Sequence, residues 1–291
     1  MKRILLSAFI FSSFSLYAQV RGIRHIILIG VDGMGANYLH DAQIPVMTSM
    51  MQAGAYTLHA RCVSPSSSAD NWASMFMGAG PELHGYTEWN SSKPEIPSRE
   101  LDHYGIFPTI YALLHDQDPK AHISMIYDWQ GIGYLFPAQA VNDNIFLQSD
   151  SMVAATAVQL IKEKKPTLML AYFSEVDGAG HGIGWGTPAY LRAIERTDRH
   201  IGEILQAVKD AGIADQTVVI VSADHGGINK GHGGKTLNEM EIPWIIYGRN
   251  VQKGRELTSS IMTYDTAATI AWILGLRTPQ SWIGRPVRTA F

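Results

Sequence analysis

The stretch "HIILIGVDGMG", residues 25–35, joins an apolar run to a carboxylate set among glycines. Its first seven residues are rich in β-branched side chains and are apolar at both alternating positions, which is typical of a strand covered on both faces. Asp32 follows this run directly. Functional groups of open α/β sheets gather at the carboxyl ends of strands. The stretch therefore predicts a buried strand that presents a functional carboxylate.

The same pattern recurs along the chain. Further strands are predicted at residues 122–128, 167–173, 217–224 and 242–248. Stretches with helical periodicity alternate with them, near residues 45–53, 70–78, 107–115, 151–163, 187–210 and 264–275. This alternation predicts an α/β fold with a mostly parallel central sheet and helices on both faces. No repeat or low-complexity linker interrupts it, so residues 19–291 are predicted to form a single domain.

The amino-acid composition argues against some classes of protein function. The chain has 291 residues, of which 46% are hydrophobic, enough for a sizeable core. Its formal charge is −3 and no cluster of Lys and Arg occurs, which argues against a nucleic-acid-binding surface. Cys62 is the single cysteine, so an internal disulfide is excluded.

The N-terminal stretch "MKRILLSAFIFSSFSLYAQV", residues 1–20, has the features of a targeting sequence. Lys2 and Arg3 precede an apolar run that ends near Ala18, which predicts a signal peptide over residues 1–18. The run is shorter than the roughly 20 residues that a membrane-spanning helix needs. We therefore expect an exported protein, periplasmic or secreted, with no stable transmembrane segment after signal removal.

Aspartate and histidine residues follow three of the predicted strands, each flanked by glycine. They are Asp32 in "GVDGMG", Asp177 and His181 in "SEVDGAGHG", Asp224 and His225 in "SADHGG", and His232 in "KGHGG". One such residue alone is consistent with a helix cap or a surface histidine. Three strand ends with the same composition favour a metal site, because glycine lets the backbone approach a ligand closely.

The ligand types indicate the metal and the chemistry. Three carboxylates and three imidazoles suit Zn²⁺, although Mn²⁺ accepts the same set. Six protein ligands are more than one catalytic zinc uses, so two divalent ions are predicted. Paired ions about 3.5 to 4 Å apart can bind both the attacking and the leaving oxygen of an in-line displacement. The set predicts phosphoryl transfer.

A serine-rich stretch, "VSPSSSADNWASMFMGAGPELHG" at residues 63–85, precedes a predicted apolar helix. Its hydroxyls are consistent with helix capping. They are equally consistent with a nucleophile at a helix N-terminus, where the backbone N–H groups favour an anion. Local sequence leaves both interpretations open.

Together, the motifs "VDGMG", "SSSADNWASMFMGAGPELHG", "DGAGH", "SADHGG" and "GHGG" resemble the alkaline phosphatase superfamily. The similarity is to its branch of nucleotide pyrophosphatases and type I phosphodiesterases, and it runs in order from Arg24 to Phe291. The resemblance implies an alkaline-phosphatase-like core and makes Ser68 the nucleophile. It assigns Asp177, His181 and His232 to one zinc, and Asp32, Asp224 and His225 to the other. It also implies that Asn71 donates to a phosphoryl oxygen.

The implied function is hydrolysis of small-molecule phosphate esters through a phosphoseryl intermediate at two zinc ions. After Ser68 the chain reads Ala-Asp-Asn-Trp, where many phosphodiesterases of this branch read Phe-Pro-Asn-His after a threonine. This difference leaves diester against monoester specificity open. Ser67 stays an alternative nucleophile. Lys235 and Trp72 are candidate substrate contacts, with a solvated lysine and a packing tryptophan as the respective alternatives.

Other functions remain as alternatives: a phosphomonoesterase, a phosphonate hydrolase, or a non-catalytic metal- or phosphate-binding protein of the cell envelope. A sulfatase is disfavoured because "CVSPSS" has Pro65 one place too late for the modified-cysteine motif and lacks its arginine. Aromatic residues in the loops 86–106 and 129–149 predict a cover over the metals. They are Tyr86, Trp89, Tyr104, Trp129, Tyr134 and Phe136.

Overall fold

One eight-stranded sheet organises the computed structural model, which describes residues 20–291. Its strands are β1 His25–Val31, β2 Ala55–Arg61, β3 Ile123–Tyr127, β4 Asp143–Phe146, β5 Leu168–Phe173, β6 Thr217–Ser222, β7 Glu241–Gly248 and β8 Arg255–Glu256. Their order in the sheet is β4-β3-β5-β1-β6-β7-β2-β8. All five predicted strands are therefore present, within two residues at each end.

The sheet is mostly parallel, as predicted. β4, β3, β5, β1 and β6 pair in parallel, whereas β7 is antiparallel to both of its neighbours. β5 and β6, which flank β1, are buried along their whole length. β1 is buried at every residue except the first. Burial on both faces explains their continuous apolar runs.

Three strands were not predicted. β2 carries His59 and Arg61 among its outward residues, and β4 alternates between half-buried and exposed positions. β8 has only two residues. Short or polar strands near a sheet edge lack the apolar run by which the buried strands were found.

Nine α-helices are present in residues 20–291. They are α1 Pro45–Ala53, α2 Ser68–Met77, α3 Pro81–His84, α4 Ile110–Gln117, α5 Asp150–Lys164, α6 Glu175–Ile183, α7 Pro188–Asp210, α8 Leu237–Met240 and α9 Asp265–Leu274. All six predicted helices are among them. α1, α5 and α6 each contact α7, while α2, α4 and α9 contact one another. Helices cover both faces of the sheet, and the α/β prediction is confirmed.

Helix α6 was not predicted. Its sequence "EVDGAGHGI" contains three glycines, each of which disfavours a helix by up to about 1 kcal/mol relative to alanine. The segment after β5 therefore gave no helix signal. In the structure one glycine has a packing role, because a Cβ at Gly180 would lie 2.5 Å from the Trp185 ring.

Helix α2 is buried at all ten of its residues. It packs closely against β1, since a Cβ at Gly30 would lie 2.6 Å from the ring of Trp72. Gly30 therefore allows the indole to lie directly on the strand, and the N-terminus of α2 is held near the carboxyl end of β1.

No helix within residues 20–291 is long and apolar enough to cross a membrane. The predicted signal peptide, residues 1–18, lies outside the described residues. The assignment of residues 19–291 to a single domain stays a prediction.

Candidate active site

The predicted ligands come from the carboxyl ends of three neighbouring strands. β1 lies between β5 and β6, so the segments that leave these strands meet at one edge of the sheet. Asp32 directly follows β1, and Asp224 follows β6 by two residues. Asp177 and His181 lie one turn apart on α6, which begins two residues after β5.

Asp177, His181 and His232 form the first group of candidate ligands. His232 lies in the loop between β6 and α8, and its Nε2 is 3.1 Å from Nε2 of His181. The carboxylate of Asp177 is 3.6 Å from His181 Nε2 and 3.9 Å from His232 Nε2. One ligand atom from each residue lies within 4.8 Å of the others, a spacing that one metal ion can bridge.

Asp32, Asp224 and His225 form the second group. Nε2 of His225 is 3.5 Å from Asp32 Oδ1 and 3.3 Å from Asp224 Oδ2. Asp177 lies within 4.8 Å of Asp32 and His225 as well. The imidazoles of His225 and His232 stack with centroids 3.8 Å apart. All six predicted ligands thus belong to one cluster, and Asp177 is close to both groups.

Asp32 and Asp224 are each oriented through one oxygen, and all three carboxylates leave one buried oxygen unpaired. Asp32 Oδ2 accepts from Trp72 Nε1 at 3.2 Å and from the Tyr172 hydroxyl. Asp224 Oδ1 accepts from the backbone N–H groups of Gly33 and His225 at 3.0 and 2.9 Å. Asp32 Oδ1, Asp224 Oδ2 and Asp177 Oδ1 are buried with no hydrogen-bond partner among residues 20–291.

Unpaired buried carboxylate oxygens are costly, because the charge has left water without gaining a partner. Three of them at one place, beside three imidazoles, form a donor set that a divalent cation would satisfy. The residues present therefore fit the metal centre that the sequence predicted.

The three imidazoles are oriented in a common way. Nδ1 lies 3.0 Å from Lys230 O in His181, 2.7 Å from Gly226 O in His225 and 3.0 Å from Ser66 O in His232. A carbonyl oxygen can only accept, so Nδ1 carries the hydrogen in each ring. This tautomer leaves the Nε2 lone pairs for a metal, the arrangement usual for metal-binding histidines.

Burial sets the charge of these groups in the metal-free protein. It raises the pKa of Asp32 and raises that of Asp224 well above its ordinary value. Burial, reinforced by the Asp32 charge, raises the pKa of Asp177 to about 8. Burial lowers the pKa of both His225 and His232 to about 4. The imidazoles of His225 and His232 are therefore neutral at pH 7, and a cation binds in place of protons on the carboxyl groups.

This electrostatic arrangement predicts that zinc stabilises the protein more at pH 8 than at pH 6.5. Between these values the folded metal-free protein retains the proton of Asp177, which an unfolded carboxyl group has lost at a pKa of about 4. Its free energy of unfolding therefore falls as pH rises. The two histidines with lowered pKa act in the opposite direction only below about pH 6.5.

Zinc replaces that proton, so the gain in Tm on adding zinc is expected to be larger at pH 8. The measurement is a thermal scan of chelator-treated and zinc-loaded protein at both pH values. A gain that is equal at both values, or smaller at pH 8, would contradict the assignment of Asp177 as a buried ligand.

Ser68 lies beside the second ligand group. It is the first residue of α2, and its Oγ is 3.2 Å from Nε2 of His225. The first N–H groups of a helix have no intrahelical acceptor, and the helix dipole favours an anion there. The hydroxyl predicted as nucleophile is thus next to the candidate metal ligands and at a site suited to a phosphoryl group.

Asn71 is hydrogen-bonded to the loop that precedes Ser68. Its side chain is fully buried, and its Oδ1 accepts from Val63 N at 2.7 Å. Its Nδ2 donates to Ser67 O at 2.9 Å and to Pro65 O at 3.0 Å. The amide is therefore occupied in shaping the loop before Ser68, and its donation to a phosphoryl oxygen stays a prediction.

Trp72 has no exposed surface that could stack on a substrate, which agrees with the alternative interpretation of a packing tryptophan. Its indole N–H donates to Asp32 Oδ2, and its ring packs edge-to-face on Tyr172 with centroids 5.0 Å apart. Through this hydrogen bond Trp72 orients Asp32, a candidate metal ligand.

Lys235 lies on the exposed loop before α8. It is not among the residues that line the cavity over the ligand cluster. The alternative interpretation, a solvated loop lysine, agrees with this placement.

A cavity of about 600 Å³ lies over the ligand cluster. Its wall is formed by Asp32, Pro65, Ser67, Ser68, Thr87, Glu88, Trp89, Trp129, Tyr172, Ser174, Asp177, His181, Gly231, His232 and Gly233. Trp89 and Trp129 come from the two loops predicted to cover the metals. The other aromatic residues of that prediction do not reach the wall, and two of them, Tyr86 and Phe136, are buried in the core.

Sequence analysis missed several wall residues, among them Glu88, Tyr172 and Ser174. Tyr172 is the fifth residue of the buried strand β5, and its place in an apolar run indicated only a strand. Glu88 belongs to a polar loop segment without periodicity. The described residues of the wall include carboxylates and imidazoles but no lysine or arginine.

The sequence comparisons agree with this geometry. Residues 26–230 match the family described as "Type I phosphodiesterase / nucleotide pyrophosphatase". The chain belongs to this family. It is 26% identical over 218 residues to mouse ectonucleotide pyrophosphatase/phosphodiesterase family member 1, a match that spans 69% of this chain and 24% of that protein. The human family member 5 is 23% identical over 237 residues, spanning 77% of this chain and 50% of that protein.

The chain thus spans about a quarter of the length of the first of these relatives and half that of the second. Solved structures extend the similarity to the fold. The murine family member 5 in complex with AMP has a TM-score of 0.71 at 15% identity, over 92% of this chain and 98% of that one. A 2-O glycosaminoglycan sulfatase has a TM-score of 0.76 at 13% identity, over 92% and 74%. A phosphonate monoester hydrolase from Silicibacter pomeroyi has a TM-score of 0.69 at 14% identity, over 91% and 76%. The alkaline-phosphatase-like fold is confirmed.

Proposed function

We propose that this protein hydrolyses phosphate diesters, with Ser68 as nucleophile and two zinc ions as cofactors. The observation that supports the metal centre most strongly is the set of three unpaired carboxylate oxygens beside three Nε2 lone pairs. Family membership supports the reaction class. The adjacent hydroxyl of Ser68 supports a covalent route.

The two ligand groups would each hold one ion, with Asp177 near both. Divalent ions bound there would supply positive charge that lowers the pKa of the serine hydroxyl and stabilises the oxygens of the phosphoryl and leaving groups. Trp72 and Tyr172 hold Asp32 in place for this role, and the backbone N–H groups of Gly33 and His225 hold Asp224.

The covalent step uses Ser68. Its hydroxyl proton passes to solvent, and its Oγ bonds to phosphorus while the bond to the leaving oxygen breaks and that oxygen takes the electron pair. The phosphoryl group, with its remaining ester, is then bonded to Ser68. Water attacks phosphorus in the second step, the bond between phosphorus and Oγ breaks with its electron pair on Oγ, and a proton from the attacking water restores the hydroxyl. The N-terminus of α2 offers the backbone N–H of Ser68 and a favourable dipole to the phosphoryl oxygens, while the N–H of Ala69 donates to Trp89 O at 3.1 Å.

The charge of the cavity wall favours a diester over a monoester. A diester has one negative charge at neutral pH, whereas a monoester has up to two. Beyond the ligand cluster the wall offers no lysine or arginine for a second charge, and Glu88 would repel it. Trp89 and Trp129 provide apolar surface for an organic ester group. A phosphonate monoester is also singly charged, so it remains the second candidate substrate on the same observation.

The test is kcat/KM of the zinc-loaded protein on bis-p-nitrophenyl phosphate and on p-nitrophenyl phosphate. We expect the diester to be favoured by at least about tenfold, the effect of losing one charge-assisted contact of 1.4 kcal/mol or more. A p-nitrophenyl ester of phenylphosphonate serves as the third substrate. Preference for the monoester would contradict the diesterase proposal, and absence of turnover on all three would favour a non-catalytic binding protein.

We also propose that the protein is exported to the periplasm or secreted, on the basis of residues 1–18. N-terminal sequencing of the protein recovered outside the cytoplasm would then begin near residue 19. Recovery of the protein only inside cells with Met1 retained would contradict this.

A further inference from the structure

The edge of the sheet opposite the ligand cluster carries exposed basic residues. β1, β5 and β6 begin at this edge, and β7 ends there because it runs antiparallel to β6. The segments that enter or leave these four strands contribute six exposed basic residues, which we call the basic edge. They are Arg21 and Arg24 before β1, Lys165 before β5, Lys209 near the end of α7 before β6, and Arg249 and Lys253 after β7.

Backbone contacts bring these residues together although they are far apart in sequence. The N–H of Arg24 donates to Gln216 O at 2.8 Å. The N–H of Arg249 donates to the next carbonyl, Thr217 O, at 3.0 Å. The side chain of the asparagine that follows Arg249 donates to Arg21 O at 2.8 Å. Three of the six residues therefore meet at the start of β6.

Lys165 reaches the same place from β5. Burial lowers the pKa of His25, the first residue of β1, and the charges of Arg24 and Lys165 lower it further. Both cations therefore lie near the beginning of β1.

The remaining residues of the basic edge line a groove of about 840 Å³. Lys209, Arg249 and Lys253 all belong to its wall. Among the described residues of this wall, Asp215 is the only one that carries a carboxylate. The groove is therefore positively charged.

The charges of the basic edge are not neutralised within the protein. Among residues 20–291 the ion pairs of lysine and arginine are made by Arg61, Lys162 and Arg196, and none involves the basic edge. Unpaired cations gathered at one place create a positive local potential, even though the chain has a formal charge of −3. The other end of the strands carries the carboxylates of the ligand cluster, so the two edges differ in sign.

The start of the mature chain lies at the same edge. Ile23 N donates to Val20 O at 3.4 Å, and this turn leads directly into β1. The proposed cleavage after Ala18 would leave an α-amino group one residue before Val20 and add a positive charge there. An exported chain emerges at a membrane surface, so its first residues are beside the bilayer when it is released. A bilayer that contains anionic phospholipid attracts lysine and arginine through its surface potential.

A nucleic acid fits the basic edge less well. Single strands are bound by stacking on aromatic side chains as well as by cations. The exposed large aromatic residues within residues 20–291 are Trp89, Tyr134 and Phe146, and none belongs to the segments that form the basic edge.

We propose that the basic edge docks on the surface of a membrane that contains anionic phospholipid, with the active site directed away from the bilayer. The inference rests on the proposed export and is independent of the proposed catalytic activity. β1 has seven residues at about 3.3 Å each, so the ligand cluster lies about 20 to 25 Å from the docked edge. This exceeds the screening length of about 8 Å at physiological salt, so the acidic edge does not oppose binding.

The experiment measures sedimentation of residues 19–291 with vesicles of phosphatidylcholine that contain either no anionic lipid or about 30% phosphatidylglycerol. We expect binding to the anionic vesicles at about 0.05 M salt to be at least about tenfold tighter than binding to the neutral ones. Most of this binding should be lost at about 0.5 M salt, because the interaction is electrostatic.

A triple variant tests the basic edge itself. Arg24→Gln, Lys165→Gln and Arg249→Gln together are expected to weaken binding to the anionic vesicles by about 10²-fold. Each basic residue near such a surface contributes about fivefold to the partition coefficient. The Tm and any hydrolysis of bis-p-nitrophenyl phosphate should stay near wild type, since these exposed side chains do not line the cavity over the ligand cluster.

A matched control removes the same charge elsewhere. Its substitutions are Lys93→Gln, Arg99→Gln and Arg192→Gln. These three residues are exposed, and none makes an ion pair within the described part of the chain. Binding of this control to anionic vesicles should stay within about threefold of wild type, because its charges lie outside the docked edge.

Acetylation of lysine side chains with and without anionic vesicles tests the orientation. Mass spectrometry should show several-fold slower acetylation of Lys165, Lys209 and Lys253 in the bound protein. Acetylation of Lys93 and Lys235 should be unchanged.

Four outcomes would overturn the proposal: equal binding to neutral and anionic vesicles, equal loss in the two triple variants, protection of Lys235 in place of Lys165, or no binding at low salt. Preference for a single-stranded oligonucleotide over the vesicles, abolished by the first triple variant, would assign the basic edge to nucleic acid instead. None of these measurements needs turnover. Vesicle binding without hydrolysis of any ester would therefore reject the proposed function and leave this inference standing.

Discussion

Ser68→Ala is expected to lower kcat on bis-p-nitrophenyl phosphate by at least about 10⁴-fold, since loss of a serine nucleophile has cost about 10⁶-fold elsewhere. Alanine keeps the helix and its N–H groups but removes the atom that bonds to phosphorus. Ser68 is 6% exposed and carries no charge, so the fold and the ligand cluster should persist. The measurement is steady-state kinetics with zinc content and Tm recorded on the same sample.

Ser64→Ala is the control, because this serine is exposed and lies outside the cavity wall. A Ser68→Ala variant that retains more than about a tenth of the wild-type kcat would show that another group attacks phosphorus. If its zinc content fell with its activity, the loss would reflect a damaged centre and not a missing nucleophile.

Asp177→Asn is expected to have the second largest effect, a fall in kcat/KM of more than about 10³-fold together with a lower zinc content. Asp177 lies within reach of both ligand groups, and its Oδ1 is buried without a partner among the described residues. The substitution removes one negative charge from both candidate sites while keeping the volume. Metal content measured by mass spectrometry after dialysis against a fixed free zinc concentration checks the binding, and kinetics in saturating zinc check the chemistry.

Glu175→Gln provides the comparison on the same helix. Glu175 lies in the first turn of α6, pairs with Arg196 at 2.5 Å and does not line the cavity. A partly exposed ion pair of this kind contributes little to stability, so zinc content and kcat/KM should stay near wild type. Equal zinc loss in both variants would mean that any charge change on α6 disturbs the centre, and Asp177 would lose its assignment as a ligand.

The sequence predicted the parts of the fold that are buried on both faces. The continuous apolar runs of β1, β5 and β6 require a sheet covered on either side, and the ends of these strands then bring the ligands together. Helix α6 escaped prediction because the packing of Gly180 against Trp185 outweighs a low helix propensity. A helix propensity describes single residue types and does not report which residues pack together in the folded protein.

The same limit applies to the surroundings of two side chains in the site. Asn71 is three residues after Ser68, so both lie on one face of α2, which made the amide a reasonable donor to the same phosphoryl group. The loop of residues 63–67 turns back over that face and occupies the amide with its carbonyl groups. Trp72 is likewise buried, because Gly30 leaves a space on β1 that the indole ring fills. Neither contact can be read from local sequence.

The central claim is that the phosphoryl group is transferred to Ser68. Its most direct test is rapid quenching of the zinc-loaded protein with excess bis-p-nitrophenyl phosphate, followed by digestion and mass spectrometry of the peptide that contains residues 63–77. We expect an adduct of the aryl phosphoryl group on Ser68 that is absent from the Ser68→Ala variant. An adduct on Ser67, or full turnover with no adduct at any quench time and no burst of nitrophenol, would contradict the claim.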